Sequence, residues 1–138
     1  MPAQLDVATY IASNVGSLTL GTNCFAGPIK KVSTGSGIPH TAVFVIGTGG
    51  FPKEAFIDGG SKGGLSKPTV QVLIRSDKND LSGGLTLAES VMAVVDMGPP
   101  TASYAESRST TSDPIYIGTD ETGHHEWSIN LTLTKKEI

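Results

Sequence analysis

The chain has 138 residues, with 10 Lys and Arg against 13 Asp and Glu, which gives a formal net charge of -3. This charge excludes a generally basic nucleic-acid-binding protein, and the length predicts one domain over residues 1–138. The one cysteine, Cys24, excludes an internal disulfide and a cysteine-rich zinc site. No segment approaches the roughly 20 apolar residues that cross a bilayer, and residues 1–14 lack the pattern of a secretory signal. We therefore expect neither a membrane span nor a signal peptide.

Apolar residues at helical spacing predict two helices. The first helix is predicted over residues 3–14, with an apolar set that ends at Val15 before Gly16. The second set stops before Gly98-Pro99-Pro100, where proline cannot continue a helix. The apolar positions are Leu5, Ala8, Ile11, Ala12 and Val15 in the first set and Leu85, Ala88, Val91, Met92 and Val95 in the second. Both helices are thus amphipathic and need a second layer to cover their apolar stripes.

The remaining regular patterns are those of strands. Residues 41–46 are almost continuously apolar and β-branched, which is typical of a buried strand. In residues 69–76 and 127–134 apolar and polar residues alternate, so each strand has one apolar and one polar face. Shorter strands are predicted at residues 23–29 and 113–118, and a hairpin turn at 119–123. This order predicts an α+β fold with a mostly antiparallel or mixed β-sheet, and with two helices packed on one face.

Residues 47–67 contain seven glycines and no hydrophobic periodicity. We interpret them as an extended Gly-rich loop, because a structureless segment of this length in a compact domain is usually functional or disordered. The apolar Phe51, Phe56 and Ile57 in this loop favour a contact surface over a solvent linker. The charged fraction of the whole chain is only 17%, against about 25% in typical domains. A low charge also indicates surfaces buried in subunit contacts.

No set of side chains in the sequence specifies catalysis. The segment Gly59-Gly60-Ser61-Lys62-Gly63 matches the Gly-x-Ser-x-Gly pattern of serine hydrolases, but neither the strand nor the helix that the motif needs adjoins it. Adjacent His124 and His125 would face opposite sides of a strand, so we predict no metal site. Cys24 is expected to be an inert core thiol. Trp127 is predicted to lie in the core, with an interface anchor at the sheet rim as the alternative.

The order of these segments resembles the tail terminator proteins of long-tailed bacteriophages, also called tail completion or minor capsid proteins. The likeness extends over nearly the whole chain. It is most specific in the strand Pro68-Thr69-Val70-Gln71-Val72-Leu73-Ile74-Arg75 and in the closing hairpin from Gly118 through Asp120, Gly123 and Glu126 to Asn130. Neither segment is a catalytic signature. The resemblance therefore implies a structural virion protein without enzymatic activity and without a cofactor.

The resemblance further implies a ring, expected to be a hexamer, on the head-proximal end of the tail tube. Such a ring ends tube polymerisation, offers a docking surface to the neck or head connector, and lets viral DNA pass without sequence-specific binding. It is expected in the virion at the tail–neck region and in the host cytoplasm during assembly. Predicted contacts with another subunit, the tube or the neck are made by Phe51, Lys53, Phe56, Ile57, Lys62 and Arg75. Neutral candidates for the lumen are Ser128, Asn130, Thr132 and Thr134.

Two alternatives stay open. The first is a head completion or neck protein of the same virion, with the same small α+β build. The second is a small enzyme that uses His124, His125 or Asp120 on a metal ion, or Ser61 as a nucleophile.

Overall fold

The structure, a computed structural model, describes residues 3–27, 39–55, 64–120 and 122–137. The two helices are α1 (Ala3–Asn14) and α2 (Leu81–Val95). The strands are β1 (Cys24–Phe25), β2 (Ala42–Gly47), β3 (Phe51–Ala55), β4 (Gly64–Lys67), β5 (Thr69–Ser76), β6 (Tyr104–Ser109), β7 (Ile115–Thr119) and β8 (His125–Glu137). They form one mixed sheet in which only the β1–β2 pair is parallel among the described strands. The predicted α+β fold is confirmed.

Strand β8 is the centre of this sheet. Along one edge it pairs with β5 and then with β4, and along its other edge it pairs with β7 and then with β6. Ser128, for example, lies between Leu73 of β5 and Ile115 of β7. One 13-residue strand therefore holds four others in place.

A long hairpin replaces much of the loop that the sequence analysis predicted at residues 47–67. Strands β2 and β3 form one arm, and β4 and β5 form the other, which is interrupted at Pro68. The arms stay together between the strands, because the Thr48 amide donates to the Thr69 carbonyl at 2.9 Å. The absence of helical or strand periodicity had indicated no element here. The described residues of β3 and β4 contribute no side chain to the buried core, so burial imposes no apolar alternation on them.

Both helices pack on one face of the sheet. The apolar side chains of β2, β5 and β8 that point to this face are buried, together with the stripes of α1 and α2. Trp127 is 2% exposed, which confirms its predicted core position. Gly84 of α2 rests directly on the Trp127 ring. A buried hydrogen bond of 2.7 Å from the Tyr104 hydroxyl to Asp6 joins β6 to α1.

Helix α2 has a defined cap at each end. The Asp80 side chain accepts a hydrogen bond from the Gly83 amide at the N-terminus. After the C-terminal cap, Met97 has a left-handed backbone with φ 62°, which lets its amide reach the Ser107 carbonyl of β6 at 2.7 Å. Neither described helix is both long and apolar enough to span a bilayer.

Candidate functional site

Strand β7 exposes apolar side chains on both of its faces. Three consecutive side chains, Ile115, Tyr116 and Ile117, are 41%, 49% and 53% exposed. Among the described strands β7 pairs only with β8, so its second edge has open hydrogen-bonding groups. An edge strand with exposed apolar side chains is a template for association with another chain. The sequence analysis predicted this strand but not its exposure, because the alternation of β8 gave no information about the position of its neighbour.

Another exposed apolar side chain lies in the part of the sheet that is diagonally opposite to β7. Phe51 opens β3, is 61% exposed, and belongs to a strand that pairs only with β4 among those described. Lys53 follows on the same strand. Phe56, Ile57 and Lys62 lie outside the described residues. The predicted interface roles of all five residues stay predictions, and Phe51 offers the surface that such a role requires.

Arg75, the remaining interface candidate, is 6% exposed and bound within its own chain. Its Nη1 donates to the Pro39 carbonyl at 3.2 Å, its Nη2 lies 3.1 Å from Nδ1 of His124, and its Nε faces Asp120 Oδ2 at 3.6 Å. Buried charges are normally paired in this way. An interface role for Arg75 stays a prediction, but the side chain offers little surface to another subunit.

The Asp120 carboxylate organises the turn before β8. Its Oδ1 accepts hydrogen bonds from the Thr122 amide, the Thr122 hydroxyl and the His124 amide at 2.7–2.9 Å. Burial raises the pKa of Asp120, but these hydrogen bonds and Arg75 outweigh it, so the net pKa is below the usual range. Burial lowers the pKa of His124, and the Arg75 charge adds to this effect against the opposing charge of Asp120, so the net pKa is below the usual value.

The two adjacent histidines diverge, as their predicted strand position requires. His125 Nε2 donates to the Lys78 carbonyl at 3.1 Å, and its Nδ1 lies 2.9 Å from the Tyr116 hydroxyl. His124 instead meets His40, with 2.7 Å between Nε2 and Nδ1. Asp77 completes a group whose ligand atoms all lie within 4.8 Å of one another, and which could hold a metal ion. The sequence analysis named His124, His125 and Asp120 as alternatives for a metal ion, and of these three this group contains only His124.

The polar side chains of β8 lie on the sheet face opposite the helices. Ser128 is 4% exposed and accepts a hydrogen bond from Gln71 at 3.0 Å, so its own subunit covers it. Asn130, Thr132 and Thr134 are half-buried. A lumen position stays a prediction for all four, and the last three have the accessible neutral groups that it needs.

The candidate nucleophiles do not assemble into a catalytic site within the described residues. Ser61 lies outside them. Cys24 is 0% exposed, and burial raises its pKa to about 11, so the reactive thiolate is strongly disfavoured. This environment is that of the predicted core thiol.

A comparison with family models matches residues 33–137 to the bacteriophage tail terminator protein family. The match contains helix α2 and strands β2 to β8, and it leaves out α1 and β1. A comparison with individual curated proteins gives no match. The matched family consists of structural proteins of the virion tail. Since the match spans more than half of the residues, the chain belongs to the bacteriophage tail terminator protein family.

Proposed function

We propose that six copies of this chain form a closed ring that caps the head-proximal end of the phage tail tube. The observation that carries this proposal is the pair of unlike exposed surfaces on opposite edges of one sheet. The edge of β7 presents Ile115, Tyr116 and Ile117, and β3 presents Phe51. A ring requires such a head-to-tail contact between two different patches, whereas a two-fold dimer uses one patch twice.

The ring explains why an apolar edge strand persists on the surface of a single subunit. When the hairpin arm of one subunit covers β7 of the next, the open edge and its apolar side chains are removed from water together. Burying three side chains that are each about half exposed supplies favourable contact at every joint. Closure then fixes the copy number, and the completed ring has no free edge for further growth.

The same ring would end polymerisation of the tube and offer its outer face to the neck or head connector. The neutral groups of Asn130, Thr132 and Thr134 would line the lumen and let DNA slide, because few cations are present to hold its phosphates. No turnover chemistry is needed for any of these steps. The protein would act in the virion at the tail–neck joint, after assembly in the host cytoplasm.

The test of the ring is a charge placed on β7. We expect Ile117→Asp to fold but to lose ring formation on tail tubes, and particles made with it to carry tubes of uncontrolled length in electron micrographs. Ser90→Asp, on the exposed side of α2, is the matched control and should assemble normally. Normal rings and normal tail lengths with Ile117→Asp would contradict the proposed joint.

A second measurement separates a terminator from a neck or head completion protein. A terminator is attached to tails that have never met a head, so labelled protein should be found on the ends of tails purified from head-deficient infections. Its presence only on filled heads would identify it as a neck component instead.

The lumen assignment has its own test. Asn130→Lys should slow DNA ejection from otherwise normal particles because six added cations would hold the phosphates, whereas Asn130→Gln should not. Unchanged ejection with the lysine variant would place this face outside the lumen.

A further inference from the structure

We propose that His40, Asp77 and His124 bind one divalent transition-metal ion, for which Zn²⁺ is the best candidate. The pairing of the strands brings the three residues together. Strand β2 starts, β5 ends and β8 starts at the same end of the sheet. Continuing the observed registers places position 40 opposite 77 and position 77 opposite 124. The three residues therefore form one row across three neighbouring strands, on the face away from the helices.

The two imidazoles face each other through their nitrogens. His40 Nδ1 and His124 Nε2 are 2.7 Å apart, the ring planes differ by 9°, and the ring centroids are 5.0 Å apart. Rings stacked face to face would hold their atoms farther apart than 2.7 Å, so the rings meet edge to edge. Both lone-pair directions thus point into the same gap, where one proton is shared. A metal ion would replace this proton.

The orientation of His124 is fixed from its other nitrogen. Nδ1 lies 2.6 Å from the Thr122 hydroxyl, which in turn lies 2.7 Å from Asp120 Oδ1. A proton on Nδ1 donated to Thr122, with the Thr122 proton donated to Asp120, leaves Nε2 as a free ligand. Metal-binding histidines are commonly held by such a second hydrogen bond. Nη2 of Arg75, which can only donate, then gives up its 3.1 Å contact with Nδ1, while Arg75 keeps its contacts with Pro39 and Asp120.

Two imidazoles and one carboxylate select the class of ion. Imidazole suits Zn²⁺, Co²⁺ and Ni²⁺, whereas Mg²⁺ and Ca²⁺ prefer sites made of oxygen ligands. Two nitrogens on one zinc ion stand about 3.3 Å apart in tetrahedral geometry, so the rings must open by about half an ångström. His40 is exposed and lies outside the strands, so its side chain can move to make this space. Water would complete the coordination.

The bound ion would crosslink the ends of β2, β5 and β8 and so stabilise the subunit. Its test uses purified protein without an affinity tag. We expect Zn²⁺ to raise the melting temperature, and Co²⁺ to give a visible absorption band that saturates at one ion per chain. His40→Ala and Asp77→Asn should each weaken Co²⁺ binding by at least about tenfold. His125→Ala, at the neighbouring position with different partners, is the matched control and should bind normally.

Two results would overturn the site. One is the absence of saturable Co²⁺ and Zn²⁺ binding in the wild-type protein at about 100 μM metal. The other is an equal loss of binding in His125→Ala and His40→Ala, which would indicate a nonspecific site. Because His40 is exposed, we expect its variant to fold normally, and a circular dichroism spectrum checks this. None of these outcomes depends on ring formation.

Discussion

The contact between Gly84 and Trp127 gives a prediction whose sign opposes the usual rule for helices. Replacing glycine by alanine inside a helix normally stabilises a protein by about 1 kcal/mol. Here the methyl group would overlap both the Trp127 ring and the Ser76 hydroxyl. Overpacking of this kind costs about 1–3 kcal/mol. We therefore expect Gly84→Ala to lower the free energy of unfolding by up to about 2 kcal/mol, the balance of the two effects.

Urea denaturation followed by circular dichroism measures this change in every variant, because Trp127 is the single tryptophan of the chain and its replacement removes the fluorescence signal. Trp127→Phe removes the ring atoms that the new methyl group would meet, so Gly84→Ala should cost less in that background, with a coupling energy of about 1–2 kcal/mol. Ser90→Ala, exposed on the same helix, should give a small gain instead. A stabilising effect of Gly84→Ala in the wild-type background would refute the close packing of α2 on β8.

Three further predictions concern single side chains. Met97→Gly should raise the melting temperature by about 3 °C in a calorimetric scan, because it relieves the left-handed backbone at φ 62°; an unchanged or lower temperature would contradict that strain. Cys24, with its pKa raised to about 11, should resist a thiol reagent at pH 8 until urea unfolds the chain, and rapid labelling of the native protein would show an accessible thiol. Because the pKa of Asp120 is lowered in the folded protein, its charge stabilises the fold in full at pH values above the ordinary pKa of 3.8. This stabilisation is lost as the pH falls through the pKa of the folded state. Acid titration should therefore narrow the stability difference between the wild-type protein and Asp120→Asn, and a constant difference would contradict this effect.

The parts of the fold that have strong periodicity could be predicted from the sequence. The helix predicted over residues 3–14 corresponds to α1, and the strand predicted over 69–76 corresponds to β5. The alternation that starts at Trp127 correctly gave the buried face of β8. In each case one side of the element contacts the core, so burial imposes a repeat on the residues.

Features that depend on two distant segments could not be predicted in this way. Strands β3 and β4 lack a repeat because none of their described residues belongs to the buried core. The row of His40, Asp77 and His124 depends on the pairing registers of three strands, and the local sequence does not specify those registers. For the same reason the intrachain partner of Arg75 was not apparent, since Asp120 is 45 positions away along the chain.

The central position of β8 has a consequence for how the virus makes its particles. During synthesis the ribosome adds β8 after all the other described strands, yet β4, β5, β6 and β7 each need it as a hydrogen-bonded neighbour. A chain released before residue 125 would lack that neighbour and could not complete the sheet. Prematurely terminated products would thus stay unfolded and be degraded, rather than entering a tail as defective parts.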